Sequence, residues 1–155
     1  MKRWLWYVVI IGVVAALSGK TSAGTDIGTL QPVQTVRLSC VRGQVCVETD
    51  TGDMGIGEDL KSALNDMKNS AVGEIFLDTA DYLIVSPACV DLLPAMTTYL
   101  RPSCGVCLEE GETDLEQVGL FLQQHTPEIT LMKYRAGDRA LQTLVTREGR
   151  MHLVS

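Results

Sequence analysis

Cys104-Gly105-Val106-Cys107 is the one spacing in this 155-residue chain at which two thiols are close enough in sequence to oxidise together or to share a metal ion. A thiol oxidoreductase sets such a pair where a strand gives way to a helix, so that the helix N-terminus stabilises the first thiolate. Here Leu108-Glu109-Glu110-Gly111-Glu112 follows instead. The acidic run raises a neighbouring thiolate's pKa, and Gly111 separates the pair from the next helix. Cys104 and Cys107 therefore stand as a candidate redox pair beside two other readings, a local disulfide and simple packing inside a strand. A structural zinc site needs four ligands, and Cys40, Cys46, Cys89, His125 and His152 are scattered without ligand spacing. No metal and no cofactor is expected.

Gly52, Gly55 and Gly57 precede a helix, but in the order G-x-x-G-x-G and not that of a dinucleotide loop, with Asp53, Glu58 and Asp59 to repel a pyrophosphate. The expectation is a loop in which glycine supplies positive φ. Asp50-Thr51-Gly52 matches the aspartic protease tripeptide without its apolar and small flanks, and reads as a surface turn. Asp50, Asp53, Glu58 and Asp59 lack the regular spacing of a calcium loop and read as solvated acids. His125 closes a helix, where it serves terminal carbonyls. His152 sits between Met151 and Leu153 in a terminal strand. Neither has a serine or cysteine that sequence places beside it, so no catalytic residue is assigned.

The elements that would carry these residues follow from periodicity. Val36, Leu38 and Cys40 alternate with Arg37 and Ser39, and Val45 and Val47 alternate with Cys46 and Glu48, around a turn at Arg42-Gly43. A two-residue turn pairs 40 with 45 and 38 with 47. Cys46 then shares the outer face with Arg37 and Glu48, and a Cys40–Cys46 disulfide requires a three-residue turn. Leu60, Ala63, Leu64 and Met67 predict an amphipathic helix that Glu58 and Asp59 begin and Gly73 stops. Ile75 to Leu77 is an extended lead-in or a short strand. Tyr82 to Val85 predicts a strand buried on both faces. Ser86-Pro87 starts a helix toward Leu100 that Pro94 interrupts, and a short strand follows around Gly105 to Leu108. Thr113 with Glu116 predicts a capping box ahead of Leu115, Val118 and Leu122, in a helix that Thr126-Pro127 ends. Ile129 to Tyr134, Ala140 to Thr146 and Met151 to Val154 read as strands in hairpins. The class is α/β, or α+β if the hairpins dominate: a small mixed sheet with an N-terminal hairpin, two or three packed helices and C-terminal antiparallel strands.

Three segments result: 1–19 as a signal peptide or membrane anchor, 20–32 as a flexible tether rich in Gly, Ser, Thr and Ala, and 33–155 as one domain. Lys2 and Arg3 precede an uninterrupted apolar run from Trp4 to Leu17, and such cations stay on the cytoplasmic side. The run is short for a perpendicular span, which prefers roughly 20 residues. Trp4, Trp6 and Tyr7 suit a retained anchor, whereas Thr21-Ser22-Ala23 suits cleavage. The domain is expected outside the membrane in either case, single-pass if anchored and secreted if cut. The net charge of −6, which becomes −8 without Lys2 and Arg3, disfavours nucleic acid, whose phosphates need a basic surface. Membrane contact is expected through the leader alone.

Gly55-Ile-Gly-Glu-Asp-Leu-Lys-Ser-Ala-Leu64, the strand from Tyr82 to Ser86, Leu100-Arg101 leading into a strand, and Glu110-Gly111 together resemble the N-terminal domain of the C-subunit lipoproteins of spore germinant receptors, the Ger(x)C family. The likeness covers about Val33 to Leu122. It implies a non-enzymatic, membrane-tethered protein of a spore former that works through contacts with a protein partner. That family lipidates a cysteine closing its leader tetrad; here the tetrad is Leu17-Ser18-Gly19-Lys20, which offers no acceptor thiol. The functional expectation is a membrane-tethered extracytoplasmic binding or assembly domain without catalysis, with a structural component of an envelope layer as a related role. The competing expectation is an extracytoplasmic thiol-redox protein using Cys104 and Cys107.

Overall fold

The β-hairpin at the start of the domain forms because apolar residues alternate on both sides of a turn whose two central residues, Arg42 and Gly43, take φ of 53° and 80°. Positive φ at both positions is the turn geometry whose twist matches that of paired strands. In the computed structural model, which describes residues 31–155, the hairpin joins β2 (Thr35–Val41) to β3 (Gln44–Thr49) with Cys40 opposite Val45 and Leu38 opposite Val47. This is the register expected from the sequence. The leader and most of the tether lie outside the described residues. The tether's last two residues are β1 (Gln31–Pro32), which pairs in parallel with β5 (Ile75–Phe76).

Seven strands make one mixed sheet. β2, β6 (Tyr82–Val85), β7 (Gly105–Glu110) and β8 (Thr143–Arg147) run parallel at its centre. β3 and then β4 (Met54–Gly57) extend one side in antiparallel fashion, and β9 (Arg150–Val154) extends the other. Among the described residues four α-helices complete the fold: α1 (Leu60–Ser70), α2 (Leu93–Met96), α3 (Leu115–Gln124) and α4 (Leu131–Arg135). The class is α/β grading into α+β, as expected.

The two faces of the sheet carry separate cores. On one, Val36, Leu38, Val45 and Val47 meet Leu60, Ala63, Leu64 and Met67 of α1 together with Leu93 and Met96 of α2 and Leu131 of α4. On the other, Tyr82, Ile84, Cys107 and Leu144 meet Leu115, Val118 and Leu122 of α3. β6 alternates between them and is buried at all four positions, which explains its unbroken apolar run. Each fully buried Leu or Met contributes on the order of 2 kcal/mol.

Several local expectations are corrected. Gly55 and Gly57 do not supply positive φ; only Gly52 in that segment does, at 87°. Gly55 and Gly57 instead let α1 lie against β4, since a Cβ on Gly55 would stand 2.1 Å from the Ala63 carbonyl oxygen and one on Gly57 2.4 Å from the Ala63 nitrogen. The cap of α3 is Asp114, which accepts from the Glu116 N–H, not a Thr113–Glu116 box, because Thr113 bonds to Glu109. Pro87 to Leu92 is a 3₁₀ turn that hands over to the single turn of α2, with Pro94 in its first turn, and no continuous helix reaches Leu100. Ile129 to Tyr134 is not a strand. Thr130 accepts from the Lys133 N–H and starts α4, leaving only a single bridge between Thr130 and Gly105.

Candidate functional site: a groove beside the N-terminal hairpin

Helix α3 covers the outer face of the central strands and leaves that of β3 and β4 open. Between them runs a groove of about 760 Å³ at the carboxyl end of β2, bounded by the hairpin turn, Ser86 and the loop Gly111–Thr113. Ligands of open parallel sheets bind at this end of the strands. Val41, Met54 and Ile56 line it and are 57%, 51% and 45% exposed, a concentration of apolar surface on an otherwise polar side.

Its floor is ionic. Arg37 Nε donates to Glu109 Oε2 at 2.8 Å, Nη2 donates to Glu109 Oε1 at 3.0 Å and also to the Thr113 carbonyl, and Nη1 donates to Glu48 Oε2 at 2.9 Å. The Glu109 and Arg37 side chains are 5% and 11% exposed, that of Glu48 38%. Burial works against the charge on Arg37, yet the bonds from Glu109 and then Glu48 more than offset it and hold its pKa above the usual value. Glu109 also accepts from the Thr113 N–H at 3.1 Å and from its hydroxyl, which fixes the loop entering α3. An arginine so saturated by carboxylates has no remaining pair of donors for an incoming anion. The arrangement shapes a surface.

Cys46 stands in the same groove, half-buried, with its thiol pushed up by burial, relieved in part by Ser39 opposite it on β2. Ser86 Oγ is buried at the groove wall and has no hydrogen-bond partner among the described residues. Beneath the hairpin, Cys40 and Cys89 form a disulfide across 49 residues that ties the end of β2 to the turn after β6.

The candidate redox pair lies elsewhere and apart. Cys104 belongs to the core of α1 and Cys107 to that of α3, on opposite faces of the sheet, which is what three residues of extended chain impose. Both are free and fully buried. Burial pushes each thiol up to about 12, with the Glu109 carboxylate adding to the effect at Cys107. Asp50 is a structural acceptor: its carboxylate takes the N–H groups of Gln34 and Thr35 at 3.1 to 3.2 Å. Among the described residues, no group of three or more His, Cys, Asp or Glu side chains could hold a metal ion. His125 caps α3, with Nδ1 3.2 Å from the Phe121 carbonyl and its ring stacked on Phe121. His152 lies exposed on β9 opposite Val145.

The Arg37–Glu109 pair is the feature that reading the sequence missed. Its signal was a carboxylate at a position of β7 with the same parity as buried Cys107, which demands a cation.

The fold and the groove define a small mixed α/β domain with an ion-paired cleft floor. No protein-family model matches the chain, and no curated protein and no solved structure does so either.

Proposed function

We propose that this chain is a membrane-tethered, extracytoplasmic binding or assembly domain that acts through protein contacts and not through catalysis. The Cys40–Cys89 disulfide carries the reading, because such bonds persist in oxidising compartments outside the cytoplasm, where the charged and apolar pattern of Met1 to Gly19 would deliver the domain. The groove agrees with a binding role. Arg37, Glu48 and Glu109 on its floor are engaged with one another, while Val41, Met54 and Ile56 give it apolar surface for a partner. The resemblance to germinant receptor C-subunits points to the same class of work at a spore or envelope membrane.

Thiol titration of the protein taken directly from its host, denatured without reductant, tests the address. Three reactive thiols in a membrane fraction are expected; five in a cytoplasmic fraction would overturn the proposal.

A further inference from the structure

The two edges of the sheet are finished differently. On β4 the Ile56 N–H donates to Asp66 Oδ2 at 3.0 Å and the Met54 carbonyl accepts from Ser70 Oγ at 3.4 Å, so side chains of α1 occupy the outward backbone groups. Among the described residues β9 has no such cover. Its residues Arg150, His152 and Val154 lie opposite Arg147, Val145 and Thr143, around a two-residue turn with φ of 50° at Glu148 and 72° at Gly149. In such a hairpin the pair flanking the turn exchanges both its hydrogen bonds, and every second pair does the same. The N–H and C=O groups of Met151 and Leu153 consequently point away from the sheet, and no described residue bonds to them.

The side chains say what the edge accepts. Met151 and Leu153 are half-buried beside Phe121 on the α3 face, and Leu120 next to Phe121 is 57% exposed. Arg147, Arg150 and His152 share the opposite face and are exposed, with no carboxylate in ion-pair contact among the described residues. Charge is also segregated along the chain: residues 33–132 hold sixteen acidic and five basic side chains, residues 133–155 two acidic and five basic. Pairing β9 with β9 of a second copy would set these cations against each other on one face, which is unfavourable.

We propose that the outer edge of β9 receives an extended segment of a partner protein as an added strand, with apolar residues directed to Met151 and Leu153 and acidic residues to Arg147, Arg150 and His152. Main-chain bonds give such additions their affinity and the alternating side chains their selectivity. The inference rests on the binding-domain reading above and names the partner's chemistry.

The probe is a synthetic eight-residue peptide alternating Glu and Val, with a Lys–Val peptide as counterpart, added to the full chain in neutral detergent. Anisotropy should show binding of the Glu–Val peptide at low salt, and hydrogen exchange should show new protection at the Met151 and Leu153 amides. Reversing both arginines, Arg147→Glu with Arg150→Glu, should weaken it at least about tenfold. Met151→Pro, which removes an outward donor without touching a ladder bond, should abolish the protection. Equal binding of the Lys–Val peptide, protection confined to β4 or the groove, or protection that rises with protein concentration alone would each overturn the inference. The thiol count that tests the address is independent of all these outcomes.

Discussion

Arg37 of β2 and Glu109 of β7 meet through two near-parallel hydrogen bonds of 2.8 and 3.0 Å although 72 residues separate them in the chain. They bridge across β6, which lies between their strands, and through Thr113 they seat the loop that opens α3. One charge pair thus fixes both walls of the groove. Removing one member of a buried pair strands the other, whereas replacing both with apolar groups does not. Glu109→Gln should cost about 3 kcal/mol, and Arg37→Met with Glu109→Leu less than either single change. Urea unfolding of Glu109→Gln, of Arg37→Met and Glu109→Leu singly, and of the double variant checks this; a Glu109→Gln loss below about 0.5 kcal/mol would mean that the pair is solvated.

The helix seal on β4 makes a second demand. Alanine at Gly55 would set its Cβ 2.1 Å from the Ala63 carbonyl oxygen and 2.4 Å from the Met67 nitrogen, both backbone atoms of α1 that do not yield like a side-chain tip. Gly55→Ala is expected to destabilise by about 2 to 3 kcal/mol and to raise exchange at the Ile56 amide, which Asp66 otherwise protects. Gly111→Ala, where nothing lies within 4 Å and only a φ of 103° is strained, should cost less and leave that amide unchanged. A smaller loss at Gly55 than at Gly111 would show that α1 does not rest on the strand.

Periodicity carried most of the fold. The hairpin register and the buried face of α1 were legible because each depends on neighbours within a dozen residues, through alternation and the i, i+3, i+4 pattern. Glycine at 55 and 57 was not, since close approach of a helix and a demand for positive φ select the same residue. Ile129 to Tyr134 has strand-like composition, and only the Thr130 cap turns it into α4. The site was legible only in halves. Arg37 and Glu48 were placed on one face, but Glu109 joins them through the order of the parallel strands, as Cys89 joins Cys40, and that order is invisible to local spacing.

The disulfide should be a principal support of the domain. Closing a loop of 49 residues is worth about 4 kcal/mol in the chain-entropy account, less whatever structure the reduced unfolded chain retains. Reduction with dithiothreitol, or Cys40→Ala with Cys89→Ala, is expected to lower Tm by about ten degrees or more, at roughly 3 to 5 °C per kcal/mol for a domain of this size. The Ala pair should also abolish the effect of reductant. A Tm insensitive to dithiothreitol in the wild-type chain would contradict the bond.

The three free thiols should separate by burial. Cys46 is the accessible one, so iodoacetamide on the native protein is expected to label it alone, with Cys104 and Cys107 reacting only on unfolding. The same burial predicts an alkaline limb. Each core thiol moves from an ordinary value of 9.0 to about 12, so the folded state holds its proton where the unfolded state releases it. Their stabilising contribution is therefore complete below pH 9 and declines between about 9 and 12. Cys107→Ala should flatten that decline while lowering stability at pH 7 by leaving a small cavity beside Ile84 and Val118. Denaturant midpoints at pH 7, 9 and 10.5 provide the comparison. Parallel curves for wild type and variant would show that Cys107 ionises as freely in the fold as out of it, and rapid native labelling of both core cysteines would reopen their reading as a redox pair.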